Sequence, residues 1–168
     1  LLIRGGKIAS IAQEIPHRSD QDQQFFLKGK TIIPGFVDLH IHGVGDFDLF
    51  AGDAGKILEM TRYLARFGVT GFLPTLCTAD RAAVERGIRT IVEAAGMRGA
   101  GARILGIHME GPFINPEKAG AQDRRHIAEP DRALLKKFID ASVGLLKIVT
   151  LAPEMPGSGP LIDMLRAE

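Results

Sequence analysis

The sequence is poor in several features that would narrow its function. It has one cysteine, Cys77, in 168 residues. A lone cysteine makes no internal disulfide, which suits a reducing, cytoplasmic setting. No stretch approaches the roughly 20 consecutive apolar residues of a membrane span. No basic start followed by an apolar segment marks a secretory signal. Net charge is nearly absent: 21 Lys and Arg against 20 Asp and Glu leave +1 at pH 7. Such a balance gives no electrostatic reason to expect nucleic acid or a membrane surface as partner. Polar, tail-like ends are missing too. The chain opens at Leu1 inside an apolar run and closes at Glu168 inside the helix-like SGPLIDMLRAE, the pattern expected of a piece of a longer protein.

What is present is an ordinary apolar fraction, 45%, enough for a core in one domain or part of one. LLIRGGKIASIA reads as two short strands around Gly5-Gly6, a hairpin signal. Residues 13–24 are polar and loop-like. FFLKGKTIIPGFVDLHIH returns to extended, β-rich sequence, broken at Pro34-Gly35. A rhythm then sets in. DAGKILEMTRYLARFG carries Ile57, Met60, Leu64 and Phe67 at helical spacing, with Asp53 as N-cap and Gly68 as C-cap. VTGFLPTL is strand-like, and ADRAAVERGIRTIVEAAGM is helical with Val84, Ile88, Ile91 and Ala95 on one face. ARILGIHMEG and LLKIVTLAPE are strands, with the helical EPDRALLKKFIDA between them and PLIDMLRAE after.

The strand centres fall roughly 35 to 40 residues apart, a natural βα repeat length. Their near-continuous apolar runs suit buried parallel strands. The expected class is therefore α/β with a parallel sheet. A doubly wound sheet and part of an eight-stranded barrel both fit. The first loses support because no Gly-x-Gly-x-x-Gly follows the first parallel strand. Polar residues gather where the strands end: His40 and His42, Thr75 and Thr78, His108 and Glu110, and Glu154. A barrel puts its active site at that rim.

The segment PGFVDLHIHGVGD carries the densest chemistry. Side chains alternate along a strand, so Asp38, His40 and His42 are expected on one face, with Val37, Leu39 and Ile41 on the other. Residues two apart on a strand stand roughly 7 Å apart at Cα, near enough for both imidazoles to turn onto one ion. The plainer alternative is a hydrogen-bonded histidine pair. In GIHMEGPF, His108 and Glu110 again share a face at a strand end. A carboxylate there is costly unless it is paired or bound to metal, and an Arg or Lys partner is the plainer alternative. His40, His42 and Glu110 together offer N, N and O donors, a set suited to Zn, Fe or Mn. Cys77 reads as a buried bystander, Lys147 and the Arg124-Arg125 pair as structural or solvated, and Asp46 and Asp48 as loop carboxylates.

Taken in order, PGFVDLHIHGVGDFD, GVTGFLPTLCT, ILGIHMEGPFINPEKAGAQD and KIVTLAPE resemble the N-acetylglucosamine-6-phosphate deacetylases of the metal-dependent amidohydrolase superfamily. The first segment marks only the superfamily; HMEGPFINPEKAGA followed by VTLAPE is far more specific. The resemblance implies the first half of a (β/α)8 barrel. Residues 31–168 would supply its first four βα units, and residues 1–30 part of a small β domain. It implies hydrolysis of the N-acetyl group of N-acetylglucosamine 6-phosphate, giving glucosamine 6-phosphate and acetate, by a protein that is a homodimer when full length. Glu110 would be the principal ligand of a divalent metal (Zn, or Fe or Mn), with His40 and His42 holding a second ion where two are bound. Ala121 and Gln122 match a position that touches the sugar, although many relatives have His in place of Gln122. The acid/base Asp and further histidine ligands would lie beyond Glu168. Two alternatives stand beside this reading: another amidohydrolase such as a cyclic amidase, and a non-catalytic fragment or paralogue that keeps the fold.

Overall fold

The computed structural model describes residues 1–15, 23–50 and 53–168, which form two compact units, Leu1–Ile33 and Pro34–Glu168. In the first, β1 (Leu2–Arg4) and β2 (Lys7–Ser10) pair antiparallel. The hinge is Gly5-Gly6, at φ +56° and +72°. Two consecutive positive φ values turn the chain in the hand that matches strand twist, and glycine adopts them without a Cβ clash. Much of the expected polar loop over 13–24 lies outside the described residues. The extended reading of FFLKGKTII is corrected: residues 23–33 carry no strand. β-rich composition makes a strand only where another strand takes up its hydrogen bonds.

The second unit is a parallel sheet covered by helices. Its strands are β3 (Phe36–Ile41), β6 (Val69–Cys77), β8 (Ile107–Glu110) and β9 (Leu146–Thr150), side by side in that order. The two-residue β7 (Arg103–Ile104) adds to β6 below β8. A tight antiparallel pair, β4 (Gly43–Val44) and β5 (Phe47–Asp48), follows β3 directly. The strand expected over ARILGIHMEG is thus two pieces. β7 meets β6 at Gly71 and Phe72, and β8 meets it from Thr75 to Cys77. Pro74, which has no N–H to give a ladder, lies in the gap.

The helices begin where the sequence predicts. α1 (Ala54–Ala65) is capped by Asp53, which accepts from Lys56 N at 2.9 Å. α2 (Arg81–Gly96) is capped by Asp80, and α3 (Arg132–Ala141) by Asp131. α4 spans Ser158–Ala167. Two details differ from the periodic pattern. Phe67, expected on the buried face of α1, is exposed because the helix ends at Ala65. On α2 the residue that completes the buried face of Val84, Ile88 and Ile91 is Ala94, not Ala95. The core lies between sheet and helices: Phe72, Leu76, Ile107 and Met109 meet Ile57, Met60, Ile88 and Ile91. The strand order never reverses along the sheet. A doubly wound sheet reverses at a switch point, and among the described residues none is present.

Candidate metal centre

The site forms at the C-terminal ends of β3 and β8, with β6 between them. β3 is irregular where it matters. Asp38 pairs with Phe72 and Ile41 with Pro74, so three steps on β3 match two on β6. One extra residue makes a β-bulge, which shifts the side-chain alternation by one. The expectation that Asp38 shares a face with the two histidines is therefore corrected. Asp38 is in register with Phe72 on the helix side, while His42, one past Ile41, comes level with Thr75. The Asp38 carboxylate turns back and accepts the His40 N–H at 3.1 Å.

The histidines and the glutamate converge. His40 Nε2 and His42 Nε2 lie 3.0 Å apart. Glu110 Oε2 is 3.2 Å from His42 Nε2 and 3.9 Å from His40 Nε2. One donor atom from each of the three falls within 4.8 Å of the others. The Arg or Lys partner considered for Glu110 is not found: among the described residues the basic side chains within 4.0 Å of its carboxylate are these two histidines.

Hydrogen bonding fixes which nitrogen the His42 ring can offer. The Thr75 carbonyl only accepts, so His42 Nδ1, 2.9 Å away, carries the proton. His42 Nε2 then faces the cluster as a lone pair, the arrangement that orients a ligating imidazole. Two nitrogens 3.0 Å apart match ligands about 2.05 Å from one ion at an angle of about 94°. Donor types, tautomer and spacing all fit a divalent metal.

Behind the pair stands His108, 5% exposed. Its Nδ1 donates to the Leu39 carbonyl at 3.1 Å, and its Nε2 meets Thr150 Oγ1 at 2.8 Å. Its ring lies edge-on to His40, with centroids 5.1 Å apart. Burial pushes its pKa below the usual histidine value. The shared face expected for His108 and Glu110 holds, since Thr75 aligns with His108 and Cys77 with Glu110. After Glu110 the chain leaves the strand through Gly111 at φ +93°, where a Cβ would collide with Thr78 Oγ1.

No family model matches the sequence. Individual proteins do. The N-acetylglucosamine-6-phosphate deacetylase of Bacillus subtilis is 34% identical over 99% of this chain and 43% of its own length. This chain is a relative of the N-acetylglucosamine-6-phosphate deacetylases. An N-acetylgalactosamine-6-phosphate deacetylase of Escherichia coli O157:H7 is 30% identical over all of the chain and 43% of its own length. A solved structure of an aspartate-to-alanine variant of N-acetyl-D-glucosamine-6-phosphate deacetylase from Mycobacterium smegmatis, in complex with N-acetyl-D-glucosamine-6-phosphate, superposes with a TM-score of 0.70. It is 30% identical, matching 80% of this chain and 34% of that one. The chain thus spans less than half the length of the deacetylases it matches.

Other sequence-marked residues of this deacetylase relative are placed as follows. Gln122 Oε1 accepts the Thr78 N–H at 2.7 Å, which ties the KAGAQ loop to the end of β6; Ala121 beside it is exposed. Cys77 is half-buried, and burial raises its thiol pKa. Lys147 is exposed at the start of β9, away from the rim. Arg125 pairs with Asp123 at 2.7 Å in a short 3-10 turn over Arg124–His126. Glu154 accepts from Asn115 Nδ2 at 3.0 Å and joins the loops after β8 and β9. Asp48 belongs to β5 and accepts the Phe50 N–H. The sequence reading marked Thr75 and His108 as rim polar residues without giving them work, and missed Thr150. Their signal lies across strands, in who stands level with whom.

Proposed function

We propose that the protein carrying this chain hydrolyses the N-acetyl group of N-acetylglucosamine 6-phosphate, releasing acetate and glucosamine 6-phosphate, with a divalent metal held by Glu110, His40 and His42. The observation that carries this reading is the convergence of two imidazole nitrogens and one carboxylate oxygen within 4.8 Å, in a chain related throughout to deacetylases. A divalent ion supplies Lewis acidity, polarising the acetyl carbonyl and acidifying water.

This chain's residues do the holding. Glu110 contributes charge at the end of β8, while His40 and His42 contribute neutral donors from β3. His42 is kept in the right tautomer by the Thr75 carbonyl. The Ala121 backbone and the Gln122 amide are assigned to the sugar on their match to the KAGAQ position of the deacetylases. With Oε1 committed to Thr78, Gln122 has its NH2 group left to offer. The carboxylate that passes the proton from water to the leaving amine is assigned to the rest of the protein. The unreversed strand order supports a (β/α)8 barrel whose first four units are residues 31–168, with residues 1–30 in a small β domain. Zn, Fe and Mn all suit the donor set.

The test measures acetate release and metal content together. Glu110→Gln keeps size and removes charge; it should lower activity by roughly 100-fold or more and reduce bound metal. His40→Asn should cost less. Full activity and full metal content in Glu110→Gln would end the assignment. Loss of activity in His40→Asn alone would place the chemistry on the histidine pair, closer to the cyclic amidases. Running the galacto epimer alongside decides the sugar.

A further inference from the structure

The bulge in β3 takes Leu39 and His40 out of the β3–β6 register, since neither has a partner there. The backbone groups around it are met by side chains instead. The His40 N–H goes to Asp38 Oδ1 at 3.1 Å, the Ile41 N–H to Thr75 Oγ1 at 3.0 Å, and the Leu39 carbonyl to His108 Nδ1 at 3.1 Å. Asp38 is on the same strand, so its bond is local. Thr75 and His108 come from β6 and β8. His108 reaches furthest: it also holds Thr150 on β9 at 2.8 Å and lies against the His40 ring. One buried imidazole thus links three strands beneath the ligand cluster. Both of its nitrogens are occupied, so it has no lone pair to give an ion.

We propose that His108 is a positioning residue: its bond to the Leu39 carbonyl holds the β3 bulge in the form that aims His40 and His42 at Glu110. Bulges beside functional sites re-aim side chains, and partners behind ligating groups commonly set metal affinity. The proposal rests on the metal reading above.

The donor that matters is Nδ1, which predicts an asymmetry between amide replacements. Asn places its NH2 near the Nδ1 position and can keep the bond to Leu39. Gln reaches the Nε2 position and can keep only Thr150. Phe fills the space and keeps neither.

The experiment uses the full-length protein carrying this chain. Zinc affinity is measured by competition with a chromophoric chelator, the visible spectrum of the Co(II) form is recorded, and thermal unfolding is followed without metal. His108→Phe and His108→Gln should weaken zinc binding by roughly 10- to 100-fold and shift the Co(II) bands. His108→Asn should stay within about 3-fold of the parent with its spectrum retained. A merely structural role would lower the melting temperature of all three and leave affinity and spectrum alone, which overturns the proposal. So does equal weakening in Asn and Gln, because the Leu39 bond would then not be the cause. If His108→Phe fails to fold, the Asn and Gln pair still decides. If the parent binds neither zinc nor cobalt, the metal reading itself fails and takes this proposal with it. A parent that binds while His108→Phe binds equally well removes the proposal alone.

Discussion

β3 and β6 read alike in the sequence, as apolar runs bounded by turns, yet they are opposite kinds of strand. β6 has neighbours on both sides, and Phe72 through Leu76 are buried without a break. β3 ends the described sheet, with Phe36, Val37 and Leu39 exposed at 58, 54 and 52%. The strand bearing both candidate histidine ligands is thus held less by burial than by hydrogen bonds from its better-packed neighbours. Packing makes β6 a frame, and the frame then aims β3.

The widest gap between the two strands should appear on truncation. Phe72→Ala, at a fully buried position, should cost about 3–5 kcal/mol in denaturant unfolding. A cost below 1 kcal/mol would mean that β6 is not the packed frame. Next comes the bond joining the strands. Thr75→Val keeps the shape and leaves the Ile41 N–H without its acceptor, so about 1–3 kcal/mol should be lost. If that variant is neutral, the bulge is held by something other than the hydroxyl. On β3 itself, Leu39→Ala in this chain should move stability by no more than about 0.5–1 kcal/mol, because half the side chain is already in water. A cost like that of Phe72→Ala would show that β3 is covered and would abolish the contrast.

The smallest effect lies outside both strands. Arg125 holds the Asp123 carboxyl down to about 2. A depressed carboxylate adds stability above its unfolded value, which is lost as pH falls toward the folded one. The 124–126 turn should therefore loosen between about pH 4 and pH 2, visible as a fall in amide protection relative to the intrinsic exchange rate at each pH. Protection unchanged down to pH 2 would show that the Asp123 cap contributes nothing.

Local pattern made most of the fold legible. The Asp53 cap and apolar spacing located α1, the helical patterns located α2 and α3, and βα spacing located the parallel strands. What escaped depends on a partner strand. FFLKGKTII has strand composition and, among the described residues, no strand to join. The break between β7 and β8 coincides with a proline on β6, and the bulge in β3 exists only against the Phe72–Pro74 stretch of β6. The site divides in the same way. His40, His42 and Glu110 stood out because they sit at strand ends, the histidine pair in one motif and the glutamate in another. Asp38 was put on the wrong face because strict alternation cannot foresee an extra residue. Thr75, His108 and Thr150 gain their meaning from standing level across three strands, which a linear reading does not display.

The unreversed strand order also carries a timetable. Apart from the two-residue β7, each hydrogen-bonded neighbour in the main sheet is the next strand of that sheet along the chain, so every pairing closes a loop of moderate length, and loop closure costs grow only slowly with length. A chain leaving the ribosome can add one strand to a finished edge at a time. The metal donors straddle that sequence of events. Both imidazoles arrive with the first strand, and the carboxylate comes two strands later, after β6 has entered between them. If the three donors hold an ion as proposed, the nascent protein would for an interval display a histidine pair without its anionic partner. Tight capture would then wait until three strands have docked, so that loading the ion would report on assembly.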